Sequence, residues 1–110
     1  MSLATLAEIG IKAIRLQEMV DHRKVVGKAF GDACFEWKKA NGFSYIPKHS
    51  SEWDQMLEGI SREHAAIRRA KADEANARAR LSRACIKAQK EMAAGLATNE
   101  ILNRAMEASK

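Results

Sequence analysis

Apolar residues recur along the first third of the chain at Leu6, Ile9, Ala13, Leu16, Val20, Phe30, Cys34 and Trp37. The alternation of three and four residues is that of a coiled-coil seam, and no proline interrupts it, so the pattern predicts one helix over residues 3–40. Two residues in the same register, Arg23 and Gly27, break the seam. At the α-helical rise such a helix spans roughly 57 Å, which predicts an elongated molecule. A second apolar row, Ile11, Ile14, Val25 and Val26, falls on another side of the helix. A helix that is apolar on two sides needs more than one neighbour, and this predicts an oligomer. Gly27 and Gly31, four apart, fit either a close crossing or bend or a glycine pair tolerated inside the helix at a cost of about 1 kcal/mol each.

The pattern lapses over residues 41–50, NGFSYIPKHS. Asn41-Gly42 suits a left-handed cap at the end of the first helix, and Pro47 stops any continuation. Serine at 50 or 51 is a good N-cap, and Asp54, three residues after Ser51, makes an acidic variant of the capping box. A second helix therefore starts at about residue 51.

Its apolar stripe runs through Trp53, Met56, Leu57, Ile60, Ile67, Ala70, Ala77, Leu81, Cys85, Ala88 and Met92, interrupted by Lys71, Glu74 and Arg78. These three either pair with Arg15, Glu18 or Asp21 or face water. With no breaker before Gly95, the expectation is a single helix over residues 51–94. Gly95-Leu96 reads as a glycine C-cap, with Thr98 or Asn99 opening a short helix over residues 99–109. Two long helices joined by a short loop should be antiparallel neighbours. In that register Phe30 lies level with Ile60, Ile9 with Leu81 and Leu6 with Cys85. The expected fold is thus all-α and a single domain: two long helices in an antiparallel coiled-coil-like hairpin, plus a short C-terminal helix.

Composition agrees with this picture. Twenty of the 110 residues are alanine, only 5% are aromatic and there is one proline. Small apolar side chains of this kind fill close helix–helix contacts rather than a thick core. No apolar run reaches the roughly 18 residues of a membrane span, and the N-terminus lacks the basic start and apolar block of a secretory signal, so a cytoplasmic location is expected. Cys34 and Cys85 are too few and too far apart in sequence for a disulfide framework or a zinc site, and read as small buried hydrophobes.

Nothing in the sequence carries catalysis. GKAFG at 27–31 lacks the strand and the spacing of a phosphate-binding loop. His22, His49 and His64 have no partners at metal-ligand spacing, and Glu18 with His22 reads as a surface pair. A two-helix hairpin also offers no natural pocket. The expectation is a non-enzymatic protein without cofactor or metal.

Charge supplies the one asymmetry. The chain carries a formal +5, yet residues 62–90 hold nine Arg or Lys against three Asp or Glu, which leaves the remainder at −1. Arg62, Arg69, Arg80, Arg83, Lys87 and Lys90 fall within about an 80° sector of the helix, roughly opposite the apolar stripe. Such a row suits an acidic protein surface, including one that normally holds nucleic acid, or the phosphate backbone itself. It is also what a solvated face of a good helix former looks like. No stacking aromatic lies among these cations, so base-specific readout is not expected. A second candidate surface is the turn, where Phe43, Tyr45 and Trp53 either anchor a partner or, with Trp37, close the hairpin end as a small core. The reading is a non-enzymatic helical interaction protein: a homo-oligomer that binds and modulates a macromolecular protein partner. The alternatives are a weakly specific nucleic-acid binder using the basic face, and a structural subunit of a larger assembly.

Overall fold

The computed structural model describes residues 1–108. Three helices account for the regular structure: α1 (Leu3–Ala40), α2 (Ser51–Gly59) and α3 (Ser61–Ala108), with no strand among the described residues. The two long helices, α1 and α3, pack against each other. Contacts gather in two compact units, one of Gln17–Asn76 and one of Met1–Leu16 with the chain from Ala77 onward.

In the unit of Gln17–Asn76 the end of α1 is fixed by backbone chemistry. Gly42 takes φ 76, the Phe43 N–H donates to the Lys38 carbonyl at 2.8 Å and the Gly42 N–H to that of Lys39 at 3.4 Å. These are the two bonds of a Schellman motif, and the apolar contact that accompanies such a motif is present as well. Phe43 stacks on Trp37 with centroids 5.9 Å apart and planes 6° from parallel. Ser50 then caps α2, its Oγ accepting from the Trp53 N–H at 3.2 Å. Between the two caps the loop buries Ile46, which joins Met56 and Ile60 in the core, with Phe30, Ala33, Cys34, Trp37, Phe43 and Trp53 packed around them.

The expected single helix over 51–94 is broken at its tenth residue. Ile60 (φ −117, ψ 37) separates α2 from α3. The cause lies across the interface: Trp37 presses so closely on this point that a Cβ at Gly59 would fall 2.5 Å from its Nε1. Only glycine leaves room for the indole, and glycine is also the residue that helps a helix least. The break turns both Met56 and Ile60 into the core.

Beyond the break α3 runs antiparallel to α1. Phe30 lies against His64 (centroids 5.9 Å), Gly27 faces Ile67, and Arg23 Nε donates to Glu74 Oε2 at 2.8 Å. The register is therefore about one turn on from the expected level of Phe30 with Ile60. Arg23 and Glu74, each an interruption of its own stripe, are each other's partner, so the polar layer is satisfied within the interface. α1 continues through Gly27 and Gly31; a Cβ at Gly27 would meet Ile67 Cδ1 at an ordinary 3.6 Å, whereas one at Gly31 would meet nothing within 4 Å.

The other unit is thinner. Its buried side chains are Thr5, Ala77, Ala84 and Ala88. Thr5 is 7% exposed and Leu6, the residue expected in the seam, is 52% exposed. The threonine is accommodated because its hydroxyl bonds Glu91 Oε2 at 3.0 Å and meets Ser2 Oγ at 2.8 Å. Leu6 was expected beside Cys85; the neighbouring residue, Thr5, reaches Glu91 instead. Past Glu91 every described residue of α3 is exposed.

The expected cap at Gly95 and the short helix over 99–109 are not formed. α3 passes through Gly95 to Ala108, and residue 109 lies outside the described residues. A C-cap needs a left-handed residue, and Gly95 stays helical, with no proline beyond it to force a stop. Thr98 does not cap: its hydroxyl donates back to the Ala94 carbonyl at 2.9 Å. The short helix of this fold is α2, before the long helix rather than after it.

Candidate functional site

In the unit holding the chain ends, α3 turns Ala77, Ala84 and Ala88 inward, and the residues between them determine what the outer side carries. Arg80, Arg83, Lys87 and Lys90 are all exposed. Among the described residues none of these four is in an ion pair or side-chain hydrogen bond. The nearest carboxylate along the helix, Glu91, is taken by Thr5. Glu8, on α1, is held by Lys12 at 2.8 Å. That hydrogen bond and the Lys12 charge hold its carboxyl below the usual carboxylate range, with a smaller contribution from the charge of Lys87. Exposed Ile86 lies beside the row, so an open trough bordered by Arg83, Lys87, Lys90 and Glu91 has an apolar floor of Ile86 and Ala94.

Arg62 and Arg69 belong to the other unit, where both are exposed on α3. The three aromatic residues proposed as a loop anchor separate there. Phe43 is stacked on Trp37 and Trp53 is packed on the core of Met56 and Ile60, so both close the turn. Tyr45 alone stands out from it, 75% exposed.

The same unit contains a hollow of about 370 Å³ that the sequence pattern does not announce. Phe30, Trp53, Leu57 and Ile67 form its apolar wall, and Lys48, Arg68 and Lys71 stand at its edge. His49 and His64 also line it, His49 with a positive φ of 66. One signal was available: His64, Ile67, Arg68 and Lys71 have the spacing of a single helix face.

Cys34 and Cys85 are free thiols, both half-buried. Burial raises the Cys34 thiol above its ordinary value, against the opposing charge of Lys38. Among the described residues no three His, Cys, Asp or Glu side chains gather as a metal site would, and no helix is long and apolar enough to cross a membrane. Comparison of the chain with protein-family models, with curated proteins and with solved structures gives no match.

Proposed function

We propose that this chain is a non-enzymatic helical interaction protein, acting as a homo-oligomer that binds and modulates a macromolecular protein partner through the basic face of α3. The observation that carries this reading is the set Arg80, Arg83, Lys87 and Lys90: four exposed cations, none of them in an ion pair or side-chain hydrogen bond among the described residues, beside exposed Ile86. A surface of that kind is complementary to an acidic patch flanked by an apolar contact, where charge steers the encounter and the apolar contact slows release. Arg62 and Arg69 offer the same chemistry separately in the other unit. Exposed Ile11 and Ile14 on α1 support self-association.

A nucleic-acid backbone is the second reading, favoured by the placement of the four cations on one helix face, where each neutralised phosphate releases counterions. A structural subunit is the third, favoured by Met92, Leu96, Ile101 and Leu102, which are exposed along α3. The test is capture from native lysate with the wild type and with Arg80→Glu, Arg83→Glu, Lys87→Glu combined, each with and without nuclease. A protein retained despite nuclease and lost with the charge reversal is the expected result. Retention abolished by nuclease moves the reading to nucleic acid, and retention indifferent to the reversal removes the basic face from the function.

A further inference from the structure

The hollow in the unit of Gln17–Asn76 is built by every element of that unit. Phe30 comes from α1, Lys48 and His49 from the loop, Trp53, Asp54 and Leu57 from α2, and His64, Ile67, Arg68 and Lys71 from α3. Trp53 and Leu57 on α2 and His64 and Ile67 on α3, either side of Ile60, border a common space. Its volume of about 370 Å³ lies within the range usual for small-molecule sites.

The chemistry of the lining is divided. The wall is apolar and largely aromatic: Phe30, Trp53 and Leu57 are half-buried, Ile67 is buried, and the His64 ring is tilted 33° against Phe30. The edge is cationic. Lys48, Arg68 and Lys71 are exposed, and among the described residues none has an ion pair. Asp54 is the one carboxylate of the lining, so its Lys, Arg and Asp side chains sum to a formal charge of +2, from three cations and one anion. Cations above a low-dielectric wall focus their field into the space beside it. A bare inorganic anion would find no buried donor to replace its water, and a neutral apolar molecule would leave the three cations unused. His49 adds a backbone feature, because a non-glycine residue at positive φ is uncommon and such strain gathers at ligand sites.

We propose that this hollow binds a small amphipathic anion, a flat aromatic body carrying one sulfonate, phosphate or carboxylate. The body lies against Phe30, Trp53 and Leu57, and the anionic group is directed to Arg68 and Lys71, with Lys48 opposite. The site is independent of the basic row, since it uses none of Arg62, Arg69, Arg80, Arg83, Lys87 or Lys90.

Two probes with the same aromatic body separate the parts of this statement: 1-anilinonaphthalene-8-sulfonate and its uncharged counterpart N-phenyl-1-naphthylamine. Each is titrated into the full chain at low salt, with fluorescence for affinity and the indole N–H signals of Trp53 and Trp37 for location. The sulfonate should bind with one molecule per chain, at least about tenfold more tightly than the uncharged probe, and should shift the Trp53 signal more than that of Trp37. Arg68→Gln with Lys71→Gln changes only exposed side chains; it should weaken the sulfonate by roughly tenfold and leave the uncharged probe unaltered. Equal binding of the two probes to the wild type would reduce the hollow to a greasy surface and overturn the proposal. So would a sulfonate that fluoresces without moving Trp53, or one whose affinity the double variant leaves intact. Should the double variant lose its helical circular dichroism, the two-probe ratio and the Trp53 shift in the wild type decide the matter alone.

Discussion

The unit around the turn and the unit around the chain ends use the same two helices and bury different things. Around the turn, Met56 is completely buried, and Ile46, Ile60, Phe30, Trp37 and Trp53 pack about it. Around the chain ends the inward residues are Ala77, Ala84 and Ala88, with Thr5 opposite Glu91. Burying a large apolar side chain contributes roughly 1.5–3 kcal/mol, whereas a methyl contributes under about 1. The first unit can therefore fix its own register, while the second gains little from each layer and retains freedom to open. Both candidate sites follow this division. The basic row Arg80, Arg83, Lys87 and Lys90 stands on the thin unit, and the hollow belongs to the thick one. A partner-binding face on a weakly held segment is a common arrangement, because opening and closing there leaves the rest intact.

The sharpest attack on this comparison is to remove one layer from each unit. Met56→Ala should lower unfolding stability in urea by about 2–5 kcal/mol, because no solvent reaches the site and the surrounding aromatic rings collapse only partly into the space. Ala84→Gly should cost about 1 kcal/mol, nearly all of it helix propensity. If the two losses were equal, the distinction between a thick and a thin unit would have no energetic content.

A smaller effect is expected at Gly59. Adding a Cβ there brings it against the Trp37 indole, and the indole cannot swing away without unstacking from Phe43. Gly59→Ala should cost on the order of 1–3 kcal/mol by overpacking, opposed by the better helix propensity of alanine. The near-ultraviolet circular dichroism of the tryptophans would report the displacement. A stabilised Gly59→Ala would mean that the break at Ile60 is not imposed by Trp37.

These residues also mark where the fold was legible in the sequence. The limits of α1, the left-handed Gly42 and the Ser50 cap could all be read, because each depends on backbone groups a few residues away. The break at Ile60 could not, because Gly59 is an unremarkable helix residue until Trp37, distant in sequence, is placed on it. The seam of the thin unit was misread for a different reason. Ranking positions by apolar size selects Leu6 and Cys85, but the structure buries Thr5 and Ala84, since close packing favours small side chains and the threonine hydroxyl finds Glu91. Arg23 and Glu74 each look like a defect in one helix and become a pair only when the two helices are set side by side. The exposure of the basic row was foreseen because it follows from helix geometry alone. The hollow was not, because Phe30 of α1 and Lys48 and His49 of the loop complete a lining that no single helix pattern displays.

Gly95 gives the smallest and most selective test. A glycine before Leu96 has the sequence character of a helix terminus, and at a terminus it would hold a positive φ that alanine resists. Here it lies inside α3, with nothing within 4 Å of the position a Cβ would take. Gly95→Ala should therefore be favourable, by about 0.5–1 kcal/mol of local helix free energy, through the lower entropy cost of ordering alanine. Because every described residue beyond Glu91 is exposed, the gain should stay in the tail. Amide exchange should slow for residues 92–104 and remain unchanged at Ile67 and Ala70 in the thick unit. A loss of helix on this substitution would restore the glycine cap and end the long helix where the sequence pattern first suggested.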